Sequence, residues 1–274
     1  MEQEIMTRNK KIMFIGAGNM AQSIISGLLK ENFSSSVIFA IDTDEAQRNH
    51  LEKTFAVKTS NDLSLVESAD VIILSTKPQH VQGICSNIKD IVKNQLIISI
   101  AAGIRLNQIS QWLGGYQKII RTMPNLVAQV QKSVTVAFTL PETDQESVED
   151  TNKILNSFGD TIWLKEERLI DSATALSGSG PAYIFYFLNA LIQSGINVGL
   201  EKKDAQILAL KTLQGSSLLA EKYINDLEML IENVTSKGGT TEQALKVLDQ
   251  KNLKEIIDSA IKAAFARAQE MGEK

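Results

Sequence analysis

The sequence predicts an α/β chain: a doubly wound, mostly parallel sheet over residues 1–165, followed by an all-α segment over residues 166–274. Three observations carry this. Apolar runs of four to six residues recur through the first half, each followed by a turn and then a helical pattern, as parallel strands buried on both faces require. The first run ends in a glycine-rich turn that opens a helix. After Leu164 the strand signals stop, and apolar residues recur only at helical spacing. A chain of 274 residues has room for two such domains and a substantial core.

Lys11–Ile15 is the first strand, and Ile24, Ile25 and Leu28 give the helix after it its apolar face. Between them lies Gly16-Ala17-Gly18-Asn19-Met20-Ala21, the G-x-G-x-x-A form of the Rossmann dinucleotide fingerprint. Gly16 permits the tight turn, Gly18 lets the backbone approach a pyrophosphate, and Ala21 lets helix and strand pack closely. The phosphates then sit on the helix N-terminus. The second strand, Val37–Ile41, ends at Asp42, the usual partner of the adenosine ribose 2′-hydroxyl. Alone, Asp42 favours NADH over NADPH; Arg48 is the nearest base that softens this, and the choice stays open. Further strands are read at Asp70–Ser75, Leu96–Ile100, Lys118–Arg121, Ser133–Phe138 and Thr161–Leu164. Thr76-Lys77-Pro78, Ala101-Ala102-Gly103 and Thr122–Asn125 follow three of them. Ligands of doubly wound sheets gather beyond the carboxyl ends of strands, so these turns are expected at the nicotinamide end of the cofactor.

In the second half, Asp171–Tyr183 leads into Ile184–Ile192, which is apolar nearly all round and therefore belongs in a core or a subunit interface. Pro181 opens or kinks that helix, and Gly178 and Gly180 permit close approach. Lys202 to about Tyr223 carries small residues at Ala205, Ala209, Thr212 and Ser216. Asp226–Val234, Thr241–Leu248 and Leu253–Met271 complete the helices. So apolar a segment of about 110 residues could hardly bury itself alone, which predicts an oligomer. Val234–Thr241 offers two glycines flanked by hydroxyls just ahead of a helix, a good receptor for a carboxylate. Thr240-x-x-Gln243 also fits a capping box there.

Totals narrow the function. Net charge is −4, from 28 basic and 32 acidic residues without a Lys/Arg block, so neither nucleic acid nor an anionic membrane is expected as a partner. Cys85 alone cannot form an internal disulfide, and the polar N-terminus lacks a signal-peptide core. No apolar run approaches the length of a membrane span, and a cytoplasmic protein is expected. With one cysteine and only His50 and His80, no transition-metal site is expected.

These residues resemble the pyrroline-5-carboxylate reductase family over nearly the whole chain. The resemblance rests on Phe14–Ala21, Lys77–Gln79, Ile98–Gly103 and Arg121–Asn125, and most specifically on Thr174–Tyr183 and Val234–Thr241. It implies a Rossmann domain followed by a helical dimerisation domain, with dimers assembling further into rings of five. It implies reduction of 1-pyrroline-5-carboxylate to L-proline by NADPH or NADH, at a site between the nicotinamide of one subunit and the helical domain of another. Ser236, Thr240 and Thr241 would hold the substrate carboxylate or ring nitrogen, with Thr241 the donor to the nitrogen. Glu167 would contact substrate, and Thr174 would shape the pocket. Asn233 would lie near the cofactor, as would Ala101 and Ala102 with Ser75 to Pro78, while Asn61 would reach the adenosine side. Three departures stand out: Leu126-Val127 where the family has Thr-Pro, Lys237 where it has proline, and Asp42 where NADPH-preferring members tend to have small or basic residues. Two alternatives stand beside this reading: a reductase on the same scaffold acting on a related cyclic imine or a β-hydroxy acid, and a dinucleotide-binding regulatory module without turnover, which Leu126, Val127 and Lys237 leave open.

Overall fold

The computed structural model describes residues 9–272. Its first half is one eight-stranded sheet, ordered β3-β2-β1-β4-β5-β6-β7-β8. The strands are β1 (Ile12–Ile15), β2 (Ile38–Ile41), β3 (Lys58–Ser60), β4 (Val71–Leu74), β5 (Leu96–Ser99), β6 (Ile119–Met123), β7 (Ser133–Phe138) and β8 (Gly159–Trp163). Every pairing is parallel except β6 with β7. Helices α1 (Asn19–Lys30), α2 (Glu45–Phe55), α3 (Pro78–Ile88), α4 (Leu106–Trp112) and α5 (Gln145–Asn156) provide the crossovers. The predicted strands all form. Edge strand β3 was not expected: its three residues, Lys-Thr-Ser, carry no apolar pattern, and only pairing with β2 makes them a strand.

The strands read as unbroken apolar runs because both faces are covered. In β1, Ile12 and Phe14 pack with Ile24, Leu28, Ile154 and Phe158, while Met13 and Ile15 pack on the other face with Val81, Cys85 and Ile109. Each such side chain, fully withdrawn from water, contributes about 1.5–3 kcal/mol. Burial also pushes the Cys85 thiol up to about 12, which makes it packing rather than a nucleophile.

From Leu169 the chain is helical: α6 (Leu169–Ala173), a π-helical turn (Thr174–Gly178), α7 (Gly180–Asn197), α8 (Lys202–Lys222), α9 (Leu227–Asn233), α10 (Thr240–Gln250) and α11 (Leu253–Gly272). The contacts divide the molecule into two compact units, one reaching to Ser179 and including the stretch from Ala264, the other Gly180–Ala263. A boundary at 165/166 thus falls inside the first unit, because Ile170, Asp171 and Ala175 are buried there and α6 packs on β6 and β7. In the π turn the Ser179 N–H donates to Thr174 O at 2.9 Å. Pro181 then falls in the first turn of α7, where its missing N–H has no helical partner to lose.

The second unit has little core of its own. Gly195 of α7 meets Ala205 of α8; of the other small residues on α8, Ala209 is half-buried while Thr212 and Ser216 stay exposed. No residue of α7 is buried, and Phe185, Phe187 and Tyr186 (81 % exposed) face outward. Of the two places open to so apolar a helix, the described residues supply no core. No described helix is long and apolar enough to cross a membrane.

Candidate active site

The turn after β1 is built from outside itself. The Gly16 N–H donates to Ile41 O at 2.8 Å, and the Ser75 hydroxyl donates to Ile15 O and Gly16 O at 3.0 and 2.8 Å. Asp42, at the end of β2, accepts from the Ala17 N–H on one oxygen (2.7 Å) and the Asp44 N–H on the other (2.8 Å). Asp42 is therefore a brace for the turn as well as the acid expected at a ribose. Arg48 donates to the Asp42 backbone carbonyl at 2.8 Å, which ties down the base nearest that acid.

At Gly18, the N-cap of α1, the geometry opens out. No side chain caps the helix, and a Cβ built there would meet nothing within 4 Å. The N–H groups of Asn19, Met20 and Ala21 lie ahead of the first α-type bond, from Gln22 N to Gly18 O at 3.0 Å. An uncapped helix start beneath open space fits a pyrophosphate. Beside it the Thr76 hydroxyl is buried without a hydrogen-bond partner among the described residues, a polar atom left for a ligand. The structure thus brings Gly16, Ala17, Gly18, Asp42, Ser75 and Thr76 together. Lys77 and Pro78 open α3, with Lys77 exposed. Asn61 is exposed just past β3, where Ser60 O accepts from the Asp42 N–H at 3.0 Å.

Ala101, which is buried, and Ala102 follow β5, at the start of a loop that runs to α4. Glu167 is turned onto this loop: its Oε1 accepts from the Leu106 N–H at 2.8 Å and from Arg121 Nη1 at 2.9 Å, while Oε2 takes no hydrogen bond among the described residues. Asp171 pairs with Arg105 and Arg121 (3.1 and 3.4 Å). Sequence reading had no role for Arg121, although an arginine inside an apolar strand is a signal in itself. The Thr174 hydroxyl donates to Ile170 O at 2.7 Å, inside its own helix. Asn125, just before Leu126, donates through Nδ2 to Ser177 O at 3.1 Å and receives Ser133 Oγ at 3.1 Å, so side chains fix that bend without a proline.

In the second unit, Asn233 ends α9, and Ser236-Lys237-Gly238-Gly239 turns into α10. The Gly239 N–H donates to Ser236 O at 2.9 Å, and Gly238 has φ +77°, which together make a type II turn. The capping box read at Thr240 and Gln243 does not form. Gly239 is the N-cap, without a side-chain cap, and Glu242 reaches back instead to the Gly238 N–H at 2.8 Å. The N–H groups of Thr240, Thr241 and Glu242 stand ahead of the first α-type bond, from Gln243 N to Gly239 O at 3.3 Å. The hydroxyls of Ser236, Thr240 and Thr241 have no hydrogen-bond partner among the described residues. Ser236 Oγ lies against Gly239, where an added Cβ would come within 2.5 Å of it. Three N–H groups and three hydroxyls make a receptor for an anion.

Lys237 occupies the second position of that turn, is exposed, and its N–H makes no hydrogen bond among the described residues. Proline suits this position, so Lys237→Pro should stabilise the protein by about 0.4–1 kcal/mol through a less variable unfolded chain. Denaturant unfolding of the two proteins, at matched concentration, checks the sign.

Comparison with known proteins joins the two halves. Residues 11–103 match the family described as NADP oxidoreductase coenzyme F420-dependent, and residues 167–271 match pyrroline-5-carboxylate reductase dimerisation. A pyrroline-5-carboxylate reductase of Vibrio alginolyticus is 35 % identical over 266 residues, covering 96 % of this chain and 98 % of its own. The structure of one from Coxiella burnetii superposes with a TM-score of 0.90 at 35 % identity, over 97 % of this chain and 99 % of that one. The Plasmodium falciparum enzyme, crystallised with NADP bound, gives 0.88 at 27 % identity over the same shares. Matched along nearly its whole length, and carrying the helical segment by which that family dimerises, the chain belongs to the pyrroline-5-carboxylate reductase family.

Proposed function

We propose that this chain reduces 1-pyrroline-5-carboxylate to L-proline with NADPH or NADH. The observation that carries the reading is the uncapped start of α10, with the free hydroxyls of Ser236, Thr240 and Thr241 around it. A cyclic imine bearing a carboxylate presents one anion and one basic nitrogen, and this turn offers N–H groups for the first and a hydroxyl for the second. Thr240 and Ser236 anchor the carboxylate, and Thr241 donates to the nitrogen. Glu167 contributes through Oε2, the oxygen that takes no hydrogen bond among the described residues, and Thr174 shapes the wall.

The bound dihydronicotinamide supplies hydride to the imine carbon. What the protein adds is orientation and a proton at nitrogen, so that one C–H and one N–H bond replace the C=N π bond. The imine nitrogen is basic and takes a proton readily near neutral pH, becoming a better hydride acceptor as it does, so no strong acid is needed and the absence of histidine from every motif is no obstacle. The cofactor residues are those of the glycine turn, from Gly16 to Ala21, with Asp42, Asn61, Ser75 to Pro78, Ala101, Ala102 and Asn233. Residues 166–274 serve as the dimerisation and substrate-binding segment, in a homodimer that builds decamers from five dimers and works in the cytoplasm. The outward apolar face of α7 supports association.

The test is oxidation of NADH and of NADPH by the purified protein, followed at 340 nm, with and without 1-pyrroline-5-carboxylate. Oxidation is expected only with the imine present. Cofactor binding without any oxidation would instead leave a regulatory module.

A further inference from the structure

The guanidinium of Arg121 sits in β6 with 1 % of the residue exposed, and it holds two carboxylates at once. Those carboxylates both reach the loop between β5 and α4. The Leu106 N–H ends on Glu167 Oε1 at 2.8 Å, and Arg105 Nη2 ends on Asp171 Oδ2 at 3.1 Å. The register places Arg121 beside Ser99, the last residue of β5, where the loop begins. So the loop leaves the sheet next to Arg121 and is caught again by the two acids that Arg121 holds.

Its other side is closed by the end of α11. Gly103 has φ +74°, and a Cβ there would lie 2.8 Å from Met271 Cβ; one on Gly272 would lie 3.1 Å from the Arg105 guanidinium. The charges of the four side chains cancel, two against two, so the cluster presents no net charge to a ligand. Toward a dinucleotide its work is mechanical. What it fixes is Ala101 to Arg105, beyond the carboxyl end of β5, and ligands of such sheets bind there.

We infer that Arg121 is a positioning residue for the nicotinamide half of the cofactor pocket, acting through Glu167 and Asp171 on the 101–106 loop. The inference rests on the dinucleotide reading of the first unit and not on the identity of the imine. Arg121 adds to the pocket no charge that adenosine diphosphate would feel, because the brace lies at β5 and β6 while the glycine turn is braced by Asp42 and Ser75.

The experiment is a titration of the full-length protein and its Arg121→Met variant with NADH and, separately, with ADP, which lacks the nicotinamide half. NADH affinity should fall about tenfold, while ADP affinity stays within about twofold, since a site loosens where its supporting shell is lost. A variant that merely destabilised the fold would weaken both ligands alike, and that outcome overturns the inference, as does unchanged NADH binding. If Arg121→Met fails to fold, Arg105→Gln cuts the loop's own tether while Asp171 keeps Arg121. The same split between NADH and ADP is then expected, and its absence is equally decisive. A parent protein that binds neither ligand would bring down the dinucleotide reading itself, and the inference with it.

Discussion

Gly16→Ala is expected to abolish dinucleotide binding, whereas Gly18→Ala should weaken binding in a protein that still folds normally. Gly16 has φ +109°, a region L side chains rarely adopt, and a Cβ there would lie 2.6 Å from Ser75 O. Strain of that kind costs about 1–3 kcal/mol before any clash with backbone is counted. Relief requires the β1 and β4 ends to separate, which breaks the Ser75 bonds to Ile15 O and Gly16 O. Gly18 is different: its backbone is extended, and nothing stands within 4 Å of an added Cβ. That methyl would enter the space meant for pyrophosphate without disturbing the fold. Thermal melts and NADH titration of both variants check this. Gly16→Ala should show a lower Tm and at least about a 100-fold weaker Kd, which equals about 2.7 kcal/mol. Gly18→Ala should show the weaker Kd at an unchanged Tm. Tight NADH binding by Gly16→Ala would remove the glycine turn from the cofactor site.

The second large effect is expected at Thr241. Thr241→Val keeps the shape of the side chain and removes its hydroxyl, which has no partner among the described residues. If that hydroxyl donates to the imine nitrogen, kcat should drop by about 100-fold, the lower end of what a positioned proton donor contributes. Cofactor affinity should not change. Thr240→Val acts on the carboxylate instead and should raise KM for the imine with a smaller change in kcat. The steady-state constants of both variants separate these roles. A fall in kcat of less than about fivefold for Thr241→Val would hand the proton to water, since a general acid contributes far more than that.

The two predictions differ in how visible their residues were. The glycine turn was readable because its chemistry is local: strand, two glycines and helix follow one another in the chain, and the tight turn and the bare approach to phosphate each demand a residue type. The same holds for the buried strands, whose unbroken apolar runs report cover on both faces, and for α7, whose apolar girth announced a partner without saying which. Helix starts were harder. Thr240-x-x-Gln243 matched a capping pattern, yet the helix begins one residue earlier, so Glu242 rather than Gln243 reaches back.

What the sequence determined by itself was therefore the succession of elements and the dinucleotide turn, because periodicity and short-range turn chemistry are written in neighbouring residues. Tertiary structure alone decided the rest. Strand β3 exists only because β2 offers an edge, Asp42 braces the Ala17 N–H across 25 positions of chain, and Glu167 faces Arg121 across 46. Those partners meet because the sheet sets β1 between β2 and β4 and brings α6 back onto β6. A buried charge must find its counter-charge wherever the fold delivers one, and no spacing along the chain records where that is.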